Sequence, residues 1–244
     1  MAQASSIEWT EYSWNPVTGC TKISSGCQNC YAERMAKRLK RMGNERYSNG
    51  FDVRMHSDLL YVPLKWRKPR LVFVNSMSDI FHENVPEEFI IEIFKTMNAC
   101  PQHTFQVLTK RSRRLNKMSG KLNWTNNIWM GVTVENKDNI FRIDDLRKCP
   151  AKLKFISCEP LLGPLNNLQL DQIDWVIVGG ESGPNAKPMK KEWAVAIRNL
   201  CEKKGVPFFF KQWGGWDRKA CGRILEGEVW NQMPQLAHES QLIL

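Results

Sequence analysis

No apolar stretch in the 244 residues approaches the roughly 20 that a bilayer-spanning helix needs, which excludes a helical membrane protein. The opening Met1-Ala2-Gln3-Ala4-Ser5-Ser6 has neither a basic n-region nor an apolar h-region, and a cytoplasmic protein is expected. No Pro/Ser-rich linker, composition break, internal repeat or low-complexity segment interrupts the chain. One domain over 1–244 is therefore expected, with 216–244 as a C-terminal extension. Histidines number only four, His56, His82, His103 and His238, none at finger-like spacing from Cys30. His82 is the most suggestive, close to Asp79 at a strand end. Eight cysteines invite a disulfide reading, but secreted disulfide scaffolds are usually much shorter, so reduced thiols are expected. Cys100, Cys149, Cys158, Cys201 and Cys221 are scattered singly, as small buried hydrophobes are.

Acid is the scarcer charge. The 25 Asp and Glu against 35 Lys and Arg leave a formal net charge of +10, a bias toward polyanions that identifies none. The excess is clustered in Arg34, Lys37, Arg38, Lys40 and Arg41, in Lys65, Arg67, Lys68 and Arg70, and in Lys110, Arg111, Arg113, Arg114, Lys117 and Lys121. The last group directly follows an apolar run and is the best substrate-side patch.

Short runs rich in β-branched and aromatic residues recur at 71–74, 104–108, 128–132, 153–157, 175–178 and 206–210. Near-continuous apolar runs fit strands buried on both faces, as in parallel sheets. Helical patterns lie between or before them at 33–41, 87–99, 111–117, 137–146 and 192–203. The alternation calls for βαβ units and for a complete or partial (β/α) barrel, with the doubly wound sheet as alternative. A small hairpin is expected around Glu226-Gly227, closing one end of the barrel. Active groups of such folds gather at the carboxyl ends of the strands. Those ends read Asn75-Ser76-Met77-Ser78-Asp79, Thr109-Lys110-Arg111, Thr133-Val134-Glu135-Asn136, Cys158-Glu159-Pro160, Gly179-Gly180-Glu181-Ser182-Gly183 and Lys211-Gln212-Trp213, all polar or ionisable.

Cys20, Cys27 and Cys30 form a C-x6-C-x2-C run with no fourth cysteine nearby. A closed structural zinc or iron–sulfur site takes four protein ligands, whereas a site that does chemistry leaves a position for water, substrate or cofactor. Three readings follow: a 4Fe-4S cluster whose fourth iron binds S-adenosylmethionine, zinc completed by water or a distant histidine, or coincidence. A methionyl ammonium needs carboxylate or carbonyl acceptors, a carboxylate needs Lys or Arg, and ribose hydroxyls suit Glu or Asn. Asp79, Lys110, Glu135, Glu159 and Glu181 supply those types. Gly179-Gly180 permits close backbone approach, Lys211-Gln212 is placed to engage cofactor or substrate, and Cys158 is a candidate hydrogen-atom donor.

The stretch from Trp14 to Glu33, with Asn75-Ser76-Met77-Ser78-Asp79, Leu108-Thr109-Lys110-Arg111, Gly131-Val132-Thr133-Val134-Glu135, Glu159-Pro160-Leu161-Leu162-Gly163 and Gly179-Gly180-Glu181-Ser182-Gly183, resembles the phage-associated three-Cys-motif family. The likeness runs from about Trp9 to Pro234. That family is of unknown function and similar to radical S-adenosylmethionine enzymes. The resemblance implies a radical-SAM-type barrel with Cys20, Cys27 and Cys30 as ligands of a 4Fe-4S cluster. It also implies reductive cleavage of S-adenosylmethionine to a 5'-deoxyadenosyl radical, with Asn75, Asp79, Lys110, Glu135, Glu159, Gly179, Gly180, Glu181 and Lys211 as cofactor-binding candidates. Two departures stand out. The common radical SAM motif is C-x3-C-x2-C with an aromatic before the last cysteine, whereas here the first gap is six and Tyr31 comes after. The Gly-Gly-Glu block also lies at a late strand, with Asn75-Ser76-Met77-Ser78-Asp79 in the early place.

Phage association and basic clusters direct the substrate expectation to a nucleic acid or nucleotide, modified or repaired, with an electron donor as partner. Cys158, Glu159 and Glu181 are the catalytic candidates. Two other classes compete: a non-catalytic nucleic-acid-binding protein with a structural metal, and a zinc-dependent hydrolase using Glu159 or Glu181 as general base.

Overall fold

The computed structural model describes residues 3–216 and 222–234. Seven parallel strands run in chain order across one sheet: β1 (Tyr12–Trp14), β2 (Leu71–Val74), β3 (Thr104–Thr109), β4 (Ile128–Thr133), β5 (Leu153–Cys158), β6 (Trp175–Gly179) and β7 (Phe208–Gln212). Helices α1 (Tyr31–Arg41), α2 (Glu87–Asn98), α3 (Ser112–Met118), α4 (Phe141–Arg147) and α5 (Lys191–Lys204) follow β1, β2, β3, β4 and β6. The β5–β6 connection contains no α-helix. Strand order equal to chain order is the pattern of a (β/α) barrel, and the sheet is a partial barrel of the radical-SAM type. All six expected strands are present; β1 is additional.

Both sheet edges are covered rather than joined. Gln3–Ala4 pairs antiparallel with β1. At the other edge, Phe210 N–H donates to Trp230 O and Gln232 N–H to Phe208 O. The expected hairpin exists, with Ile224–Leu225 against Glu228–Val229. Its chain continuation blunts an exposed edge. Cys221 and His238 lie outside the described residues.

Strand side chains alternate between faces, and each face has its own core. On the helix side, Val72, Val74, Phe105, Val107, Ile156, Cys158, Val176 and Phe210 pack with Ile90, Ile93, Phe94, Leu115 and Ile197. On the concave side, Phe73, Trp129, Phe155, Trp175, Ile177 and Phe209 gather around Trp9. The Trp9 ring lies 4.7 Å from Phe73 and 6.1 Å from Trp175, centroid to centroid. One residue from the N-terminal segment thus bridges β2 and β6 and plugs the lower concavity. Gly131 makes room for this layer, since a Cβ there would stand 2.5 Å from the Phe155 ring.

Candidate functional site

Above the aromatic layer the same alternation continues, but the residues turn polar. Phe73 leads to Asn75, Leu108 to Lys110, Phe155 to Ser157 and Glu159, Ile177 to Glu181, and Phe209 to Lys211. The polar residues of this series, Asn75, Lys110, Ser157, Glu159, Glu181 and Lys211, line one cavity of about 360 Å³ together with Cys20, Cys27 and Cys30. A register shift between Phe210 and Gln212 adds Gln212 to the cavity beside Lys211, as a bulge re-aims a side chain.

The cysteine loop is anchored on several sides. Asn15 accepts from Met77 N–H at 3.0 Å and donates to Ser76 Oγ at 3.2 Å. Gly19 N–H donates to Met77 O and Cys20 N–H to Phe51 O, each at 3.0 Å. Gly19 has φ +83, and a Cβ there would sit 2.0 Å from Asp52 O, so only glycine fits this turn. Cys27 closes a short 3-10 turn (Ser25–Cys27), and Cys30 is the residue before α1.

Arg111, 5 % exposed, supports the loop from below. Its Nη1 donates to Cys20 Sγ at 3.4 Å, its Nη2 to Thr21 Oγ1 at 2.9 Å and its Nε to Glu83 at 2.9 Å. Burial pushes the Cys20 thiol up to about 11, Asp79 adds to this, and Arg111 opposes it. Burial also raises the Cys27 thiol, but the Lys110 charge and hydrogen bonds around Ser24 outweigh it, leaving the thiol below its ordinary value. Both cations favour thiolate, the form that binds metal.

The candidates divide by what they touch. Asp79 is occupied: it accepts from Thr109 Oγ1 at 2.8 and 2.9 Å, from Phe81 N–H at 3.0 Å and from Lys110 N–H at 3.0 Å. Glu135 is fully buried beneath the cysteine loop and not on the cavity wall; it takes Ser24 Oγ at 2.5 Å and Arg142 Nη1 at 2.7 Å. Glu159 and Lys211 pair at 2.6 Å on the wall. Glu181 Oε2 accepts from Asn29 Nδ2 at 2.9 Å and from Lys187 N–H at 2.8 Å, while Oε1 is buried without a partner. Asn75, 3 % exposed and at φ +63, has both amide atoms unpartnered. A buried non-glycine residue in the left-handed region stores strain that marks functional sites.

The two glycines answer to their neighbours. A Cβ on Gly179 would meet Glu159 Cγ at 2.9 Å, and one on Gly180 would meet Trp213 O at 1.9 Å. Cys158 lies on the helix-side face, fully buried, its thiol driven strongly upward by burial. His82 spends both ring nitrogens on the protein: Nδ1 accepts from Asn84 N–H at 3.0 Å and Nε2 meets Thr21 Oγ1 at 2.9 Å. The basic segment after β3 is also largely committed. Besides Arg111, Arg114 donates to the carbonyls of His82 and Val85, and Lys121 pairs with Glu87.

Sequence reasoning missed Ser157, whose Oγ is buried and unpartnered, Asn29, which ties the cysteine loop to Glu181, and Arg111 as a partner of a cysteine. Strand parity finds the first: Ser157 is two residues beyond Phe155 and two before Glu159. The donor set fits a cluster with one thiolate per iron. Among the described residues no three Cys, His, Asp or Glu side chains converge as a single-ion site.

Among solved structures, spore photoproduct lyase complexed with dinucleoside spore photoproduct matches with a TM-score of 0.51 at 14 % identity, covering 83 % of this chain and 64 % of that one. A cysteine-to-alanine mutant of that lyase with dinucleoside spore photoproduct matches with 0.51 at 13 %, over the same shares. At this identity the likeness is one of fold, and the chain spans just under two thirds of the length of those proteins. No curated protein matches the sequence significantly. The family model spans nearly the whole chain, residues 4–234, so the chain belongs to the family described as protein of unknown function DUF5131.

Proposed function

We propose that the chain is one radical-SAM-like α/β domain, an iron–sulfur enzyme of the cytoplasm that modifies or repairs a nucleic acid or nucleotide. The observation that carries this reading is the cavity itself. Three thiols line it, and four buried side chains with unpartnered polar atoms, Asn75, Ser157, Glu181 and Gln212, line it from the strand ends. Buried polar atoms without partners cost about 1–3 kcal/mol each, and a polar ligand removes that cost. Cys20, Cys27 and Cys30 would hold a 4Fe-4S cluster with one iron left free. Such a cluster, once reduced by a donor, supplies the electron that cleaves S-adenosylmethionine and yields a radical able to take a hydrogen atom from substrate.

The chain's own residues bind and orient. Glu181 Oε1 is an acceptor for the cofactor's ammonium, placed beside the cysteine motif by Asn29. Lys110, next to Cys27, suits the carboxylate, and Asn75 offers both a donor and an acceptor to ribose or base. The Trp9 layer shuts the lower barrel against water. The dinucleoside bound by the structural neighbours supports a nucleotide-containing substrate.

Anaerobic purification followed by reduction with S-adenosylmethionine tests the proposal. A brown, iron-containing protein that releases 5'-deoxyadenosine, and loses both properties on Cys27→Ala, is expected. A colourless zinc protein with no turnover contradicts it and favours the hydrolase or the structural-metal reading.

A further inference from the structure

We propose that α1 is a phosphate rail along which a polynucleotide strand lies, with Tyr31 as the stacking platform at the cavity mouth. The proposal rests on the nucleic-acid reading of the cavity and narrows it from nucleotide to polymer. Tyr31, Arg34, Arg38 and Arg41 recur at i, i+3, i+7 and i+10, which sets them along one side of a helix. Ala32 and Ala36 form its packed face. Because α1 begins immediately after Cys30, the stripe starts at the cysteine motif and runs outward.

Tyr31 lines the cavity yet is 55 % exposed, which places it at the cavity's boundary with water. Arg34 is a fixed post: Nη2 donates to Ser182 O at 2.5 Å, and its guanidinium occupies the space a side chain on Gly183 would need. Arg38 and Arg41 are exposed and make no ion pair among the described residues. The one carboxylate on α1, Glu33, is already held by Lys22 at 3.1 Å and Lys37 at 2.6 Å. From Tyr31 to Arg41 the rail is about 15 Å long. In the basic segment after β3, Arg111, Arg114 and Lys121 are engaged within the protein, which leaves the exposed Arg113, set over the Phe141 ring, and the exposed Lys117 rather than a stripe that starts at the cysteine motif.

The test is fluorescence anisotropy with a labelled single-stranded oligonucleotide and its duplex over a salt series. Arg38→Ala and Arg41→Ala should each flatten the dependence of log affinity on log salt by about one unit. Tyr31→Ala should weaken single-strand binding about tenfold with the slope unchanged. Lys203→Ala removes the same charge at the far end of α5 and should change neither. Wild-type protein that fails to bind at low salt, or Arg38→Glu/Arg41→Glu protein that binds as wild type does, overturns the rail. Iron content of the same samples separates the two claims. Slope loss without a cluster sinks the enzyme reading and keeps the rail, whereas an intact cluster with unchanged slopes sinks the rail alone.

Discussion

Glu181 shows how much chemistry a single carboxylate is left with once its neighbours are counted. Oε2 is consumed by Asn29 and Lys187, so only Oε1 is available to the cavity. Glu181→Gln should keep iron content unchanged and weaken S-adenosylmethionine binding about tenfold or more, the worth of a hydrogen bond to a charged group, as read by calorimetric titration. Arg111 acts in the opposite direction, toward the protein. Arg111→Met leaves Asp79 and Glu83 without their guanidinium and should cost about 3 kcal/mol in denaturant unfolding. The charged members of the site are legible in the sequence because ionisable residues directly after apolar runs are conspicuous. What each one touches is not, since Asp79 and Glu181 look alike until Thr109 and Asn29 are in place. Ser157 is hidden for another reason: it carries no charge and lies inside its own apolar run.

The main strands and helices follow from pattern; the elements that do not, β1, the Gln3–Ala4 edge strand, the Val17–Thr18/Arg54–Met55 ladder and the Ser57–Leu60 helix, are all two to four residues long. Strand β1 is three residues long with a serine at its centre, too short and too polar to stand out beside Leu71–Val74. Its existence depends on the neighbours it pairs with, not on its own propensity. Closure is equally unreadable, because it depends on whether the two edge strands meet. Here Gln3–Ala4 and Trp230–Gln232 occupy those edges, and side chains rather than an extra strand fill the concavity. Trp9 is the centre of that filling. Trp9→Ala should cost about 3–5 kcal/mol in denaturant unfolding and expose the aromatic layer to dye binding, while Phe141→Ala, at an exposed position, should leave stability near wild type.

Across the whole molecule, the interior favours neutral histidine and, away from Cys27, neutral thiol. His56, 4 % exposed, sits between Thr18 and Arg46 with Arg54 and Asp58 nearby, and burial followed by the arginine charges depresses it to about 4. His103, fully buried, is depressed for the same first reason. A base that resists protonation when folded binds more protons unfolded, so stability is complete above about pH 6.5 and declines as pH falls toward 4. Thermal unfolding across that window should show the decline, and His56→Gln should flatten it. The same economy of charge places Lys110 and Arg111 beside the three thiols at the sheet's carboxyl end, where the proposed chemistry resides. Electron paramagnetic resonance of the anaerobically reconstituted, reduced protein, with and without S-adenosylmethionine, tests that assignment most directly. The account predicts a cluster signal whose g values shift on adding the cofactor, because one iron lacks a protein ligand. A cluster signal indifferent to the cofactor, or no iron signal at all, would contradict it.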